Sequence, residues 1–127
     1  MGNLTKNFNR EEFACKCGCG FDGIDYELVK IIQEIRDEMN EPIRINSGCR
    51  CAKHNARVGG VRNSFHVQGK AADLSCASGG KKLADTIGRM LREGRLTGLK
   101  YYIYYVKKNF VHVDIGRKRG IIYEVRG

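Results

Sequence analysis

Two short stretches of this chain carry residue types whose spacing can do chemistry. In Ser64-Phe65-His66-Val67-Gln68-Gly69-Lys70-Ala71-Ala72-Asp73 an imidazole and a carboxylate stand seven residues apart around a glycine. On a straight helix that spacing is two turns, about 10 Å along the axis, too far for one metal with bonds near 2 Å. A turn at Gly69 removes the difficulty: Asp73 then approaches from a strand and His66 from the loop, with Ala71 and Ala72 leaving space around the ion. In Phe110-Val111-His112-Val113-Asp114-Ile115, period-two alternation puts Val111, Val113 and Ile115 on one face and His112 with Asp114 on the other. His112 is a third ligand, and Asp114, roughly 6 to 7 Å along the strand, is a carboxylate able to handle protons. His66, Asp73 and His112 with an open fourth position is how catalytic rather than structural zinc is held. The residues alone leave alternatives open, since a loop His is commonly a hydrogen-bonding surface group and a strand His beside an Asp commonly a local pair.

Six cysteines add a second kind of chemistry. Cys15, Cys17 and Cys19 form a C-x-C-x-C run, Cys49 and Cys51 a C-x-C, and Cys76 stands alone. Structural zinc is usually held by paired C-x(2–4)-C knuckles, which this run matches poorly. A second, structural zinc on the cysteines is one alternative; buried thiols, or disulfides formed after export, are the other.

The elements that must position these groups read as alternating helices and strands. Asp25 caps a helix running to about Asn40, with Ile24, Leu28, Ile31, Ile32, Ile35 and Met39 recurring at helical spacing. Pro42 follows, and Ile43-Arg44-Ile45 alternates as a short strand. Residues 46–70, rich in Gly, Asn and Ser, read as a long, well-specified loop, ended by the apolar piece Ala71 to Leu74. A second helix spans about residues 80–93, with Leu83, Ile87, Met90 and Leu91 inward and Gly94 at its stop. Leu99 to Val106, Phe110 to Ile115 and Ile121 to Val125 read as strands, joined by turns at 107–109 and 117–120. The expected architecture is α+β: about two helices on a small, largely antiparallel sheet.

At 127 residues the chain is expected to be one compact domain, residues 1–127. Its 42% hydrophobic and 29% charged residues exclude disordered and collagen-like classes, and no apolar run approaches the roughly 20 residues of a membrane helix. The polar start lacks a secretory signal, so synthesis in the cytoplasm is expected. Charge is uneven: residues 1–41 carry 5 Lys+Arg and 9 Asp+Glu, the remainder 18 and 5, net +13. That basic part suits an anionic cell wall, a membrane surface or nucleic acid; the aromatic motifs of base-stacking modules are missing.

Ser47-Gly48-Cys49-Arg50, then His54-Asn55, Gly59-Gly60, Ser64-x-His66-x-x-Gly69-x-Ala71-x-Asp73 and Phe110-Val111-His112-Val113-Asp114-x-Gly116 together resemble the M15 zinc peptidases. That group includes D-Ala-D-Ala carboxypeptidases, murein endopeptidases and phage endolysin peptidase domains. The likeness covers nearly the whole chain, since Glu12-Phe13 and the Cys-Gly opening resemble phage-type members; Lys118 stands where the motif has Arg. The resemblance implies a hedgehog/D,D-peptidase-like fold, Zn2+ held by His66, Asp73 and His112, and Arg50 holding substrate or the developing oxyanion. His54 and Tyr102 are taken as further substrate-binding candidates. Many relatives carry an acid three residues before the last zinc-binding His, or a His two before it; here those positions are Asn109 and Phe110, leaving Asp114 as the candidate general base, with orientation of His112 as its alternative. The implied function is hydrolysis of peptide bonds in peptidoglycan stems or cross-links by a monomer, in a phage or prophage lysin released through a partner's membrane lesion. Neither membrane insertion nor a specific nucleic-acid partner is expected. A catalytically inactive zinc domain that binds wall or protein is the alternative, as in hedgehog signalling domains.

Overall fold

The computed structural model describes residues 2–116 and 120–127. Helix α1 spans Tyr26–Met39, strand β1 Ile43–Ser47, helix α2 Ala52–Arg57, β2 Ala71–Cys76, α3 Gly80–Arg92, β3 Tyr101–Tyr105, β4 Phe110–Asp114 and β5 Ile122–Arg126. Short 3-10 turns occupy Arg10–Phe13 and Phe65–Gln68. The α+β reading holds: one five-stranded sheet has the order β1-β2-β4-β3-β5, antiparallel except for the parallel pair β3 and β5.

Local chemistry explains the boundaries. Asp25 accepts the backbone N–H of Glu27, satisfying one of the free donors of the first turn of α1. Asn40 closes the helix in the left-handed conformation, φ 53°. The stripe Leu28, Val29, Ile31, Ile32 and Ile35 is buried, and α3 buries Leu83, Ala84, Ile87 and Met90 alongside it, with Leu91 only half-buried. These side chains meet the sheet face carrying Ala72, Leu74, Tyr102, Val111 and Val113, one connected core that Phe8 and Phe13 extend toward the N-terminus.

The stretch 46–70 is not all loop. It contains α2 and the turn Phe65–Gln68. Ala52-Lys53-His54-Asn55-Ala56-Arg57 has no apolar stripe, so hydrophobic periodicity does not reveal it; Cys51 starts it, its sulfur accepting from the N–H of His54. Of the turn expected at 117–120, residues 117–119 lie outside the described residues.

Gly69 ends the turn Phe65–Gln68 at φ 69°, and a Cβ there would overlap the carbonyl oxygen of Gly23. Both the conformation and the close approach require glycine. Gly69→Ala is expected to lower unfolding stability by more than about 1 kcal/mol, read as a shift in denaturant midpoint.

Candidate metal centre

β2 and β4 pair so that Asp73 faces His112 across the ladder. On the other flank of β4, Ile103 pairs with His112 and Tyr101 with Asp114. The sheet face opposite the core therefore carries Asp73, His112, Asp114, Tyr101, Ile103 and Tyr105. They line an open cleft of about 440 Å3, bounded on its other side by residues 58–61 and 63–66.

His66 reaches this face from its 3-10 turn. Ser64 Oγ accepts the His66 N–H, and the His66 carbonyl accepts the N–H of Arg50. The His66 ring is buried, with Nδ1 2.7 Å from the Gly48 carbonyl oxygen. A carbonyl only accepts, so Nδ1 donates, and Nε2 is left facing Asp73 Oδ1 at 3.3 Å. The same carboxylate oxygen lies 3.0 Å from His112 Nδ1. With neutral imidazoles, lone pairs converge on one oxygen. A cation among them relieves that repulsion, and the 3.0 and 3.3 Å separations suit the edge of about 3.3 Å in a tetrahedron with bonds of 2.0–2.1 Å. One ligand atom from each of the three residues lies within 4.8 Å of the other two. The two-nitrogen, one-oxygen set fits zinc.

Burial disfavours charge on Asp73, but hydrogen bonds from His112 and His66 and their positive charge outweigh it, holding the carboxyl well below the usual range. His112 is opposed by burial too; hydrogen bonds to Asp114 and Asp73 prevail and push it up to about 9. In the metal-free protein the raised imidazole adds stability that is complete below its unfolded pKa of about 6.5 and is lost as pH rises through about 9. The depressed Asp73 contributes above its unfolded value and loses that contribution only in acid. The thermal midpoint of chelator-treated protein is thus expected to fall between those two pH values by more in wild type than in His112→Ala; identical slopes would contradict the pairing.

Arg50 is held on three sides. Its Nε donates to Ser47 Oγ (3.0 Å), one terminal nitrogen to Asn55 Oδ1 (3.2 Å) and the other to Asp73 Oδ2 (3.2 Å). Three of the five N–H groups of a guanidinium are thus used, and the side chain lines the cleft. Arg50 orients Asp73 as well as facing the space above it.

Asp114 is brought against the His112 ring. It shares the strand face with His112, but Oδ2 lies 2.8 Å from Nε2, the ring nitrogen opposite the one that meets Asp73. That contact suits orientation of the His112 ring, the alternative to proton transfer that the sequence offers for Asp114. Its Oδ1 is buried with no hydrogen-bond partner among the described residues. Asn109 and Phe110 do structural work: Asn109 Oδ1 accepts the Gly80 N–H at 2.7 Å, and Phe110 stacks on Tyr105.

Tyr102 is not brought to the site. It lies one residue out of phase, buried in the core and stacked on Tyr123 at 4.3 Å, while Tyr101 meets the His112 ring at 6.0 Å. Ala72 falls on the core face by the same alternation. His54 sits on α2 beside Cys51 and does not line the cleft.

A family model, Peptidase M15, matches residues 6–114, from before the first 3-10 turn to the last residue of β4. The chain belongs to the M15 peptidase family. Within it, the zinc D-Ala-D-Ala carboxypeptidase of Streptomyces albus G is 44% identical to this M15 chain over 50 residues, which make up 39% of this chain and 20% of that protein. No helix among the described residues is long and apolar enough to cross a membrane.

Proposed function

We propose that this chain is a zinc-dependent peptidase that cleaves peptide bonds of peptidoglycan, at a D-amino acid. The observation that carries the reading is the convergence of His66 Nε2 and His112 Nδ1 on Asp73 Oδ1 at the floor of an open cleft, in a chain of the M15 family. Zn2+ held there would acidify bound water toward pH 7 and polarise the scissile carbonyl. The protein's own residues supply the rest. Gly48 and Asp114 fix the two imidazoles, and Arg50 fixes the carboxylate. The N–H groups of Arg50 not engaged elsewhere can hold a substrate carbonyl or carboxylate where negative charge develops. Tyr101 and Tyr105 form an aromatic wall, with Arg126 donating to the Tyr101 hydroxyl at 3.2 Å. The net +13 of residues 42–127 favours an anionic wall as the surface on which the substrate is met. A phage-type lysin is the biological role that joins this charge to the likeness in the Cys-Gly opening.

Muropeptide mass spectrometry tests the proposal. Purified peptidoglycan treated with zinc-loaded protein is expected to release new products, absent with His112→Ala, whose masses identify the bond cut. No products from several wall chemotypes, from protein retaining its zinc, would favour a non-catalytic domain that binds wall or protein.

A further inference from the structure

We propose that Cys15, Cys17, Cys19 and Cys51 form a second metal site, a tetrathiolate cage for a zinc-like divalent ion that ties the N-terminal loop to the segment bearing Arg50. One sulfur from each lies within 4.8 Å of the other three. The Cys15–Cys17 and Cys17–Cys51 sulfurs are 3.4 and 3.6 Å apart. A disulfide needs about 2.05 Å; four thiolates around one zinc, with bonds near 2.3 Å, stand about 3.8 Å apart. The observed spacing matches the cage, and four sulfurs gathered around one point go beyond what a single disulfide requires.

The backbone is shaped to bring them together. Gly18 donates its N–H to the Cys15 carbonyl, Cys15 donates to the Phe21 carbonyl, and Gly18 and Gly20 take φ of 82° and 91°. Neither glycine has a neighbouring atom within 4 Å of a hypothetical Cβ, so the demand there is for conformation rather than space. This wrapping lets alternate residues of a C-x-C-x-C run present three sulfurs to one centre, which a flat strand does with period two but without curvature. The fourth sulfur comes from the N-terminus of α2. Backbone N–H groups point at the sulfurs: Cys51 donates to Cys15 Sγ and His54 to Cys51 Sγ, each at 3.4 Å. Such donors offset thiolate charge and fix the sulfurs for a soft-ligand metal.

The consequence reaches the cleft. Cys51 directly follows Arg50, and the Cys49 N–H bonds the Phe13 carbonyl at 2.8 Å. Apart from one 3-10 turn, residues 9–25 have no regular structure to hold them, so a metal cross-link supplies restraint that a small core does not. Cys49 and Cys76 stand outside the cage.

Cobalt substitution and metal counting on the full chain, purified under reducing conditions, test this independently of the catalytic reading. Wild type is expected to hold two equivalents of zinc, and its cobalt form to show thiolate-to-metal charge-transfer absorption in the near ultraviolet. His112→Ala is expected to hold one equivalent with that absorption intact; Cys19→Ser to lose the absorption; Cys76→Ser to keep both. Should the serine variant fail to fold, the wild-type and His112→Ala spectra decide alone. Wild-type protein binding cobalt without the charge-transfer band, with its thiols either free to alkylate or joined as disulfides, would overturn the cage. Loss of the His-site equivalent with the band retained would count against the catalytic reading only.

Discussion

Asp73→Ala is expected to remove the ion from the cleft and to lower peptide hydrolysis by at least about 10³-fold, because a single preorganised electrostatic group alone is commonly worth 10²–10³. Asp73 is where both imidazoles and the Arg50 guanidinium meet. Oδ1 receives both imidazoles and Oδ2 receives Arg50. Losing the carboxylate leaves the Arg50 guanidinium, only 14% exposed, without its ionic partner, and breaking such a pair costs on the order of 3–5 kcal/mol. Part of the effect will therefore appear as lower stability, so Asp73→Asn is the control. It keeps the shape and an acceptor for Arg50 but not the charge that a cation needs. Both variants should bind zinc far more weakly by competition with a chromogenic chelator, and only Asp73→Ala should unfold markedly earlier in denaturant. Unaltered hydrolysis by a folded Asp73→Ala would sink the assignment of the site.

His66, Asp73 and His112 stand out in the sequence as candidates by type and local spacing, and the resemblance to M15 peptidases joins them into one ligand set. Gly69 signals the reversal between the first two, and period-two alternation places the third. The long helices are equally plain, since α1 and α3 each carry an uninterrupted apolar stripe. What the sequence hides is phase and long-range proximity. Tyr101-Tyr102-Ile103-Tyr104-Tyr105 is aromatic on both faces, so residue type cannot say which tyrosines look into the cleft; the pairing of Tyr101 with Asp114 decides it. The cysteines are hidden for a different reason. Cys51 meets Cys15 across 36 positions of chain, with neither half resembling a zinc knuckle. The roles of Arg50 and Asp114 depend on which atom of a partner each touches, and that is set by side-chain geometry alone.

Asp114 is where that geometry makes its sharpest claim. If Asp114 took the proton in turnover, Asp114→Asn and Asp114→Ala would be equally inactive, with zinc content intact, because neither side chain is a base. If it acts through the His112 ring, as the 2.8 Å contact to Nε2 indicates, the two variants must differ. Asparagine can still accept the Nε2–H through its amide oxygen, preserving the tautomer that leaves Nδ1 free for the metal; alanine cannot. The expected result is a zinc affinity lowered by about 10–100-fold in Asp114→Ala and by less in Asp114→Asn. Turnover in the asparagine variant should return to within a few-fold of wild type once zinc is saturating. Measuring zinc affinity and kcat on the same preparations separates the two roles, and an asparagine variant that is fully loaded yet inactive would return Asp114 to the position of proton acceptor. Burial sharpens the comparison: Asp114 is 1% exposed, so its oxygen is held against the His112 ring with little competition from solvent.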